Sequence, residues 1–233
     1  MEPSPFFGEL IGTFFLIFLG ESVVANVLLK GTKGNNAGLI VITTAWGLAV
    51  MIGVFVAQKF GSPAAHLNPA LSIAFAVQSG EWASVPSYIL AQLLGGFLGA
   101  VATYLFYYPH WEITDDKDSK LAVFATSPAI KHTPSNFFAE MSGTFVLMVG
   151  VSSIYAMEGS GLGPFLVGML VLVIGNALGG TTGYAINPVR DFAPRLAHFL
   201  LPIKGKGSSN WDYAWIPVVG PIVGAILGVL LFV

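Results

Sequence analysis

The chain has 233 residues, 55% of them apolar and only 9% charged, where a soluble domain carries about 25% charged side chains. With 28 glycines and 18 phenylalanines beside so few charges, it cannot be surfaced as a water-soluble globule, which leaves a polytopic membrane protein. A net charge of −2 and the absence of cysteine further exclude a basic nucleic-acid surface, a disulfide framework and a thiolate metal site.

The N-terminal stretch up to Phe7 holds Glu2 but no Lys or Arg, so it lacks the basic region of a cleaved signal peptide and reads as the start of the first span. A crossing helix needs about 20 mostly apolar residues. Residues 6–29, 37–59, 85–108, 136–157, 163–178 and 215–233 meet or approach that length. Two shorter apolar segments, 69–77 and 188–200, each open on a proline that follows an asparagine. Proline is well tolerated at the first helical position, so both read as half-helices that enter the membrane and stop near its middle. Segments 30–36, 109–135 and 203–212 read as loops; Asp115, Asp116, Lys117, Asp118 and Lys120 mark the middle one as a solvated connection. No low-complexity linker divides the chain, which predicts a single domain over 1–233.

An internal repeat is visible. Phe6-Phe7-Gly8-Glu9 aligns with Phe137-Phe138-Ala139-Glu140, and Gly61…Asn68-Pro69-Ala70 with Gly180…Asn187-Pro188-Val189. The repeats run from about 6 to 108 and from about 136 to 233, each with three spans and one half-helix. Three is odd, so the second half must sit upside down relative to the first. Such inverted repeats place a pathway where broken helices meet at the midplane.

Asn68 and Asn187 then cap two half-helices that point at each other, with amide NH₂ groups free to donate into a central constriction. The helix starts are electropositive and oppose cations. The runs before them are expected to be extended, with the carbonyls of Ala64, Ala65, His66, Gly183, Tyr184 and Ala185 lining one wall. Arg190, on the first turn of the second half-helix, is an intramembrane charge and so a site candidate. Glu9 and Glu140 fit acceptors for the backbone N–H groups of their own half's loop; a proton relay is the alternative. His66 is either a pore donor or a buried, bonded histidine. His110, His132 and His198 show no metal-ligand spacing. A proton-coupled transporter using the two glutamates, or an intramembrane enzyme using His66 or Ser62, are the rival classes.

The stretches Gly61-Ser62-Pro63-Ala64-Ala65-His66-Leu67-Asn68-Pro69-Ala70 and Gly183-Tyr184-Ala185-Ile186-Asn187-Pro188-Val189-Arg190-Asp191 resemble the two signature loops of the aquaporin (major intrinsic protein) family. Asp191 after the arginine, Thr44-Ala45-Trp46-Gly47, and Pro217 are similar to its glycerol-facilitator (aquaglyceroporin) branch of bacterial type. The resemblance implies an all-α membrane protein, with six transmembrane helices and two re-entrant half-helices in a right-handed bundle. It implies a selectivity filter of Trp46, Gly175, Tyr184 and Arg190, in which Gly175 leaves room for carbon. It also implies a homotetramer in the plasma membrane lipid bilayer, no cofactor, no nucleic-acid partner and no enzymatic reaction. The implied function is passive, single-file conduction of small neutral solutes such as glycerol, and of water. Dihydroxyacetone, lactic acid, hydrogen peroxide and urea are alternative permeants. Two departures stand out. Val189 replaces the usual alanine and is expected to shift the half-helix tips, and Tyr184 adds a hydroxyl where phenylalanine is usual. The family topology puts both termini inside. The loop lysines Lys30, Lys33, Lys117, Lys120, Lys131, Lys204 and Lys206, against Lys59, point the other way by the positive-inside rule.

Overall fold

Ser4 starts the first helix: its hydroxyl accepts from the Phe7 N–H at 3.2 Å and Pro5 takes the first helical position. The computed structural model describes residues 3–157, 159 and 161–233; Met1 and Glu2, which open the N-terminal stretch, lie outside the described residues. Helices α1 (Pro5–Leu28), α2 (Leu39–Lys59), α4 (Val85–Phe106) and α7 (Thr133–Met157) are long and apolar enough to cross a membrane. Between α2 and α4 lies the half-helix α3 (Pro69–Ser79). The second half continues with α8 (Gly163–Leu178), the half-helix α9 (Pro188–Leu200) and α10 (Ile216–Val229), which a short 3-10 turn extends. At ~1.5 Å per residue, α8 and α10 are about 24 and 21 Å long, the shortest of the six spans.

The polarity of a soluble fold is inverted. Leu98, Leu105, Val173 and Leu227 face outward, while Glu9, Asn68, Gln92, Glu140, Arg190 and Arg195 are buried. Spans with no polar face suit a surface of lipid, and the interior keeps the groups that need partners.

Glycines set how closely the helices approach, and they do so twice over. A Cβ on Gly95 of α4 would lie 2.2 Å from the Leu10 carbonyl of α1, and one on Gly224 of α10 would lie 2.0 Å from the Met141 carbonyl of α7. Leu10 and Met141 are equivalent in the repeat, so both outer helix pairs use one packing device. Between the halves, α2 and α8 cross where Gly47 and Gly168 meet: a Cβ on either would come within 2.6–2.7 Å of the other's carbonyl oxygen.

The connection over 109–135 corrects the expectation of a solvated loop. It holds two helices, α5 (Tyr108–Ile113) and α6 (Lys117–Phe124). Asp116 caps α6, its carboxylate accepting the N–H groups of Asp118 and Ser119. Lys120, Leu121, Val123 and Phe124 are buried, and α6 packs against α1 and α9. The charges in the segment hide an apolar face. Several loop lysines are likewise spent on the fold. Lys120 donates to the Lys204 carbonyl, and Lys206 to the carbonyls of Phe199 in the last turn of α9 and of its C-cap Leu201, both at 2.7 Å. Burial pushes both ammonium groups below the usual lysine value. Lys30 pairs with Asp115 at 2.7 Å and Lys204 with Glu112 at 2.6 Å.

Candidate functional site

The two half-helices start on the same local chemistry. Asn68 and Asn187 take nearly identical backbone angles (φ −156°, ψ 115° and φ −157°, ψ 114°), and each is followed by proline. Their side-chain oxygens accept from Ala70 N at 2.9 Å and from Val189 N at 3.0 Å. The amide nitrogens reach across: Asn68 Nδ2 donates to Ile186 O at 2.9 Å, and Asn187 Nδ2 to Leu67 O at 2.8 Å. The NH₂ groups are therefore not wholly free, as the sequence reading had them. One N–H of each stitches the halves together and one is left over. Val189, the larger residue at the second tip, is accommodated by its surroundings. It is buried against α4, where a Cβ on Gly96 would lie 2.9 Å from Val189 Cγ1, so the missing side chain at 96 makes room for the larger one at 189.

The loops ahead of the asparagines are not extended, which is a second correction. Ala65, Leu67, Tyr184 and Ile186 have φ of 44°, 50°, 39° and 45°, a left-handed region that costs about 1–3 kcal/mol for a non-glycine residue. Two buried carboxylates hold them there. Glu9 accepts from His66 N, Leu67 N and Gln92 Nε2, each at 2.8 Å, and from the Ser62 hydroxyl at 2.7 Å. Glu140 accepts from Ala185 N and Ile186 N at 3.0 Å. His66 Nδ1 lies 3.0 Å from Ser72 Oγ, and its ring stacks on Phe75. On the other side of the second loop, Asp191 is fully buried. It accepts from Thr126 N at 2.7 Å and from Arg195 Nε and Nη2 at 2.8 Å.

One cavity of ≈ 330 Å³ touches both loops, both asparagines, Trp46, Tyr184 and Arg190. Its opposite wall is apolar, with Val50, Val54, Val151, Val167 and Val171. Trp46 Nε1, the Tyr184 hydroxyl and Arg190 Nη1 are all buried without a protein partner. The Arg190 guanidinium lies 4.3 Å above the centre of the Trp46 ring, within cation–π range. Gly175 and Gly183 are not among the residues that line the cavity. The space at Gly175 is not left for solute: a Cβ there would sit 2.9 Å from Tyr184 Cζ, so the tyrosine ring fills it. Ala64, Ala65, His66, Tyr184 and Ala185 do line the cavity.

Residues 4–232 match the model of the family described as MIP, major intrinsic protein. The chain belongs to that family. Over 221 residues it is 53% identical to the probable glycerol uptake facilitator protein of Thermotoga maritima, covering 94% of each protein. It is 52% identical to the glycerol uptake facilitator protein of Bacillus subtilis, over 94% of this chain and 80% of that one. The solved aquaglyceroporin from Plasmodium falciparum superposes with a TM-score of 0.84 at 31% identity, covering 97% of this chain and 93% of that one. The all-helical fold of this major intrinsic protein is thus that of a membrane channel and not of an enzyme.

Several residues that shape the site of this major intrinsic protein escape the sequence reading. Gln92, which donates to Glu9, and Thr126, which donates to Asp191, carry no motif that marks them beforehand. Arg195 is concealed by its expected place in a short half-helix. Glu21, the second acid inside α1, is buried and has no equivalent in the second half: aligning Glu9 with Glu140 brings it opposite Ser152.

Proposed function

We propose that this protein is a passive plasma-membrane channel that conducts glycerol and similar small polyols, and water, in single file while excluding protons and ions. The observation that carries the reading is one cavity of ≈ 330 Å³ with a donor-rich corner, a stretch of strained loop backbone and a valine wall. A polyol has the same two-sided chemistry: its hydroxyls meet the donors and loop carbonyls, and its CH groups meet the valines. Trp46, Tyr184 and Arg190 act as the selectivity filter, with Gly175 seating the tyrosine. Asn68 and Asn187 form the central constriction, where the electropositive starts of α3 and α9 oppose cations. That use of half-helix ends is the established aquaporin device. The whole chain works as one channel unit made of the two halves, 6–108 and 136–233. Four copies assemble, as the family resemblance implies.

Stopped-flow light scattering on proteoliposomes, with water, glycerol, urea, dihydroxyacetone and lactic acid as permeants, tests this. Glycerol should equilibrate well above the rate of empty vesicles and never accumulate. Accumulation driven by a pH gradient would instead mean coupled transport, which the full engagement of Glu9 by three loop donors and Gln92 of α4 argues against. Arg190→Ala should cost about tenfold in discrimination between glycerol and larger polyols, equivalent to ~1.4 kcal/mol, and admit a cation leak. Unchanged selectivity would remove Arg190 from the filter. Gly175→His should lower glycerol flux more than water flux, because the imidazole displaces the Tyr184 ring toward the solute path. Equal losses would place Gly175 outside the filter's support.

A further inference from the structure

The first loop holds a histidine whose two ring nitrogens meet different surroundings. His66 Nδ1 lies 3.0 Å from the Ser72 hydroxyl, while the ring stacks on Phe75 and meets Tyr88 edge-on. Nε2 has no protein partner among the described residues and, unlike Nε2 of His198, is not closed off from solvent. His66 lines the cavity, so Nε2 is the nitrogen that a solute can meet. Whether the solute finds a donor or an acceptor there depends on which nitrogen carries the proton, and the bond at Nδ1 sets that.

The proton can be traced outward from Glu9. A carboxylate only accepts, so the Gln92 amide turns its NH₂ toward Glu9 Oε2, 2.8 Å away. The second hydrogen of that NH₂ goes to Ser72 Oγ at 3.1 Å. This orientation leaves Gln92 Oε1 buried without a partner, and the opposite one would set that oxygen against the carboxylate. Ser72 has one hydroxyl hydrogen, which its bond to the Asn68 carbonyl one turn back, at 3.2 Å, already uses. Toward His66 the serine oxygen then has only a lone pair to offer, so Nδ1 is the donor. Were Ser72 to donate to Nδ1 instead, it would face the Asn68 carbonyl oxygen with no hydrogen between them, and one bond would be lost. A single net hydrogen bond favours the first arrangement about five- to tenfold.

We infer that Glu9, Gln92 and Ser72 hold neutral His66 protonated at Nδ1, so that Nε2 turns a lone pair to the cavity and accepts a hydrogen from a solute hydroxyl. This deepens the channel reading above and rests on it. Ser72 and Gln92 are positioning residues, and His66 is the group that meets the solute. Trp46 and Arg190 can only donate, so they recognise a solute by its oxygen lone pairs. His66 recognises it by an O–H or N–H hydrogen. A polyol or a water molecule satisfies both, whereas a solute with oxygen but no such hydrogen leaves the His66 lone pair unmet.

The test is solid-state NMR of the native chain in lipid bilayers, with labelled histidine and labelled leucine, at a mildly alkaline pH where imidazole is neutral. His66 is followed by Leu67, and the other three histidines by Trp111, Thr133 and Phe199, so the His–Leu pair assigns its side chain without a variant. The native His66 should show a protonated Nδ1 and a bare Nε2, in about five- to tenfold excess over the other tautomer. Ser72→Ala should bring the two tautomers to comparable shares, and Ser72→Thr should restore the native preference, which a merely structural serine would not predict. A native His66 protonated at Nε2, or a tautomer ratio unmoved in Ser72→Ala, would overturn the inference. Should Ser72→Ala fail to fold, the native ratio decides alone. In a frozen sample holding ¹³C-glycerol, magnetisation should pass between glycerol and His66 Nε2. Stopped-flow glycerol flux of the same preparation keeps the two readings apart. Flux without that contact overturns the inference alone, and absence of flux overturns the channel reading while the tautomer still decides whether Ser72 and Gln92 position His66.

Discussion

Glu9→Gln is expected to remove most solute flux and to lower the stability of the folded chain by about 3–5 kcal/mol, the usual cost of breaking a buried charged network from one side. The carboxylate accepts from the Ser62 hydroxyl and His66 N–H through one oxygen, and from the Leu67 N–H and Gln92 amide through the other. Glutamine must turn an NH₂ toward one of those donor pairs, leaving donors face to face in a buried site. Nothing then offsets the left-handed backbone at Ala65 and Leu67. Once Leu67 relaxes, its carbonyl leaves Asn187 Nδ2, and the centre of the molecule loosens from both halves. Glycerol-driven reswelling of vesicles, read beside the thermal unfolding midpoint in detergent, checks this. Native flux at a native midpoint would show that the loop does not depend on the acid.

Gly224→Val should prevent assembly of the helix bundle. The new Cβ would start 2.0 Å from the Met141 carbonyl oxygen and 3.0 Å from the Phe145 backbone nitrogen, both main-chain atoms that cannot swing aside. Helices α7 and α10 must then separate along their contact, and overpacking against backbone exceeds the ~1–3 kcal/mol typical where side chains can yield. The measurement is the yield of monodisperse protein on size exclusion in detergent. Gly180→Ala serves as the control, because a Cβ there meets nothing within 4 Å. Comparable yields from the two variants would refute the close approach.

The half-helices were legible because their cause is local. An Asn-Pro pair carries its own cap and its own first turn, and the repeat wrote it twice. The loop conformation was not legible. No glycine stands at 65, 67, 184 or 186 to announce positive φ, and the acids that enforce it lie far off in sequence, on α1 and α7. Gly175 misled in the opposite way. Its small size was plain, but only the folded chain shows that the Tyr184 ring takes the space. The segment 109–135 was hidden by its charges, since the lysine that reads as solvated at 120 is buried against a carbonyl more than 80 positions downstream. Glu21 breaks the symmetry of the two halves, so the repeat does not announce it.

The crosswise amide bonds also bear on how the protein is made. Asn68 finds its acceptor at Ile186, and Leu67 supplies the acceptor for Asn187. A chain leaving the ribosome can insert its early helices one by one. Yet the segment carrying Asn68 cannot take its final seat until residues more than a hundred positions later have been translated and threaded into the bilayer. During that interval the nascent half must shelter an unfinished polar loop, a task for the insertion machinery or for water at the membrane surface.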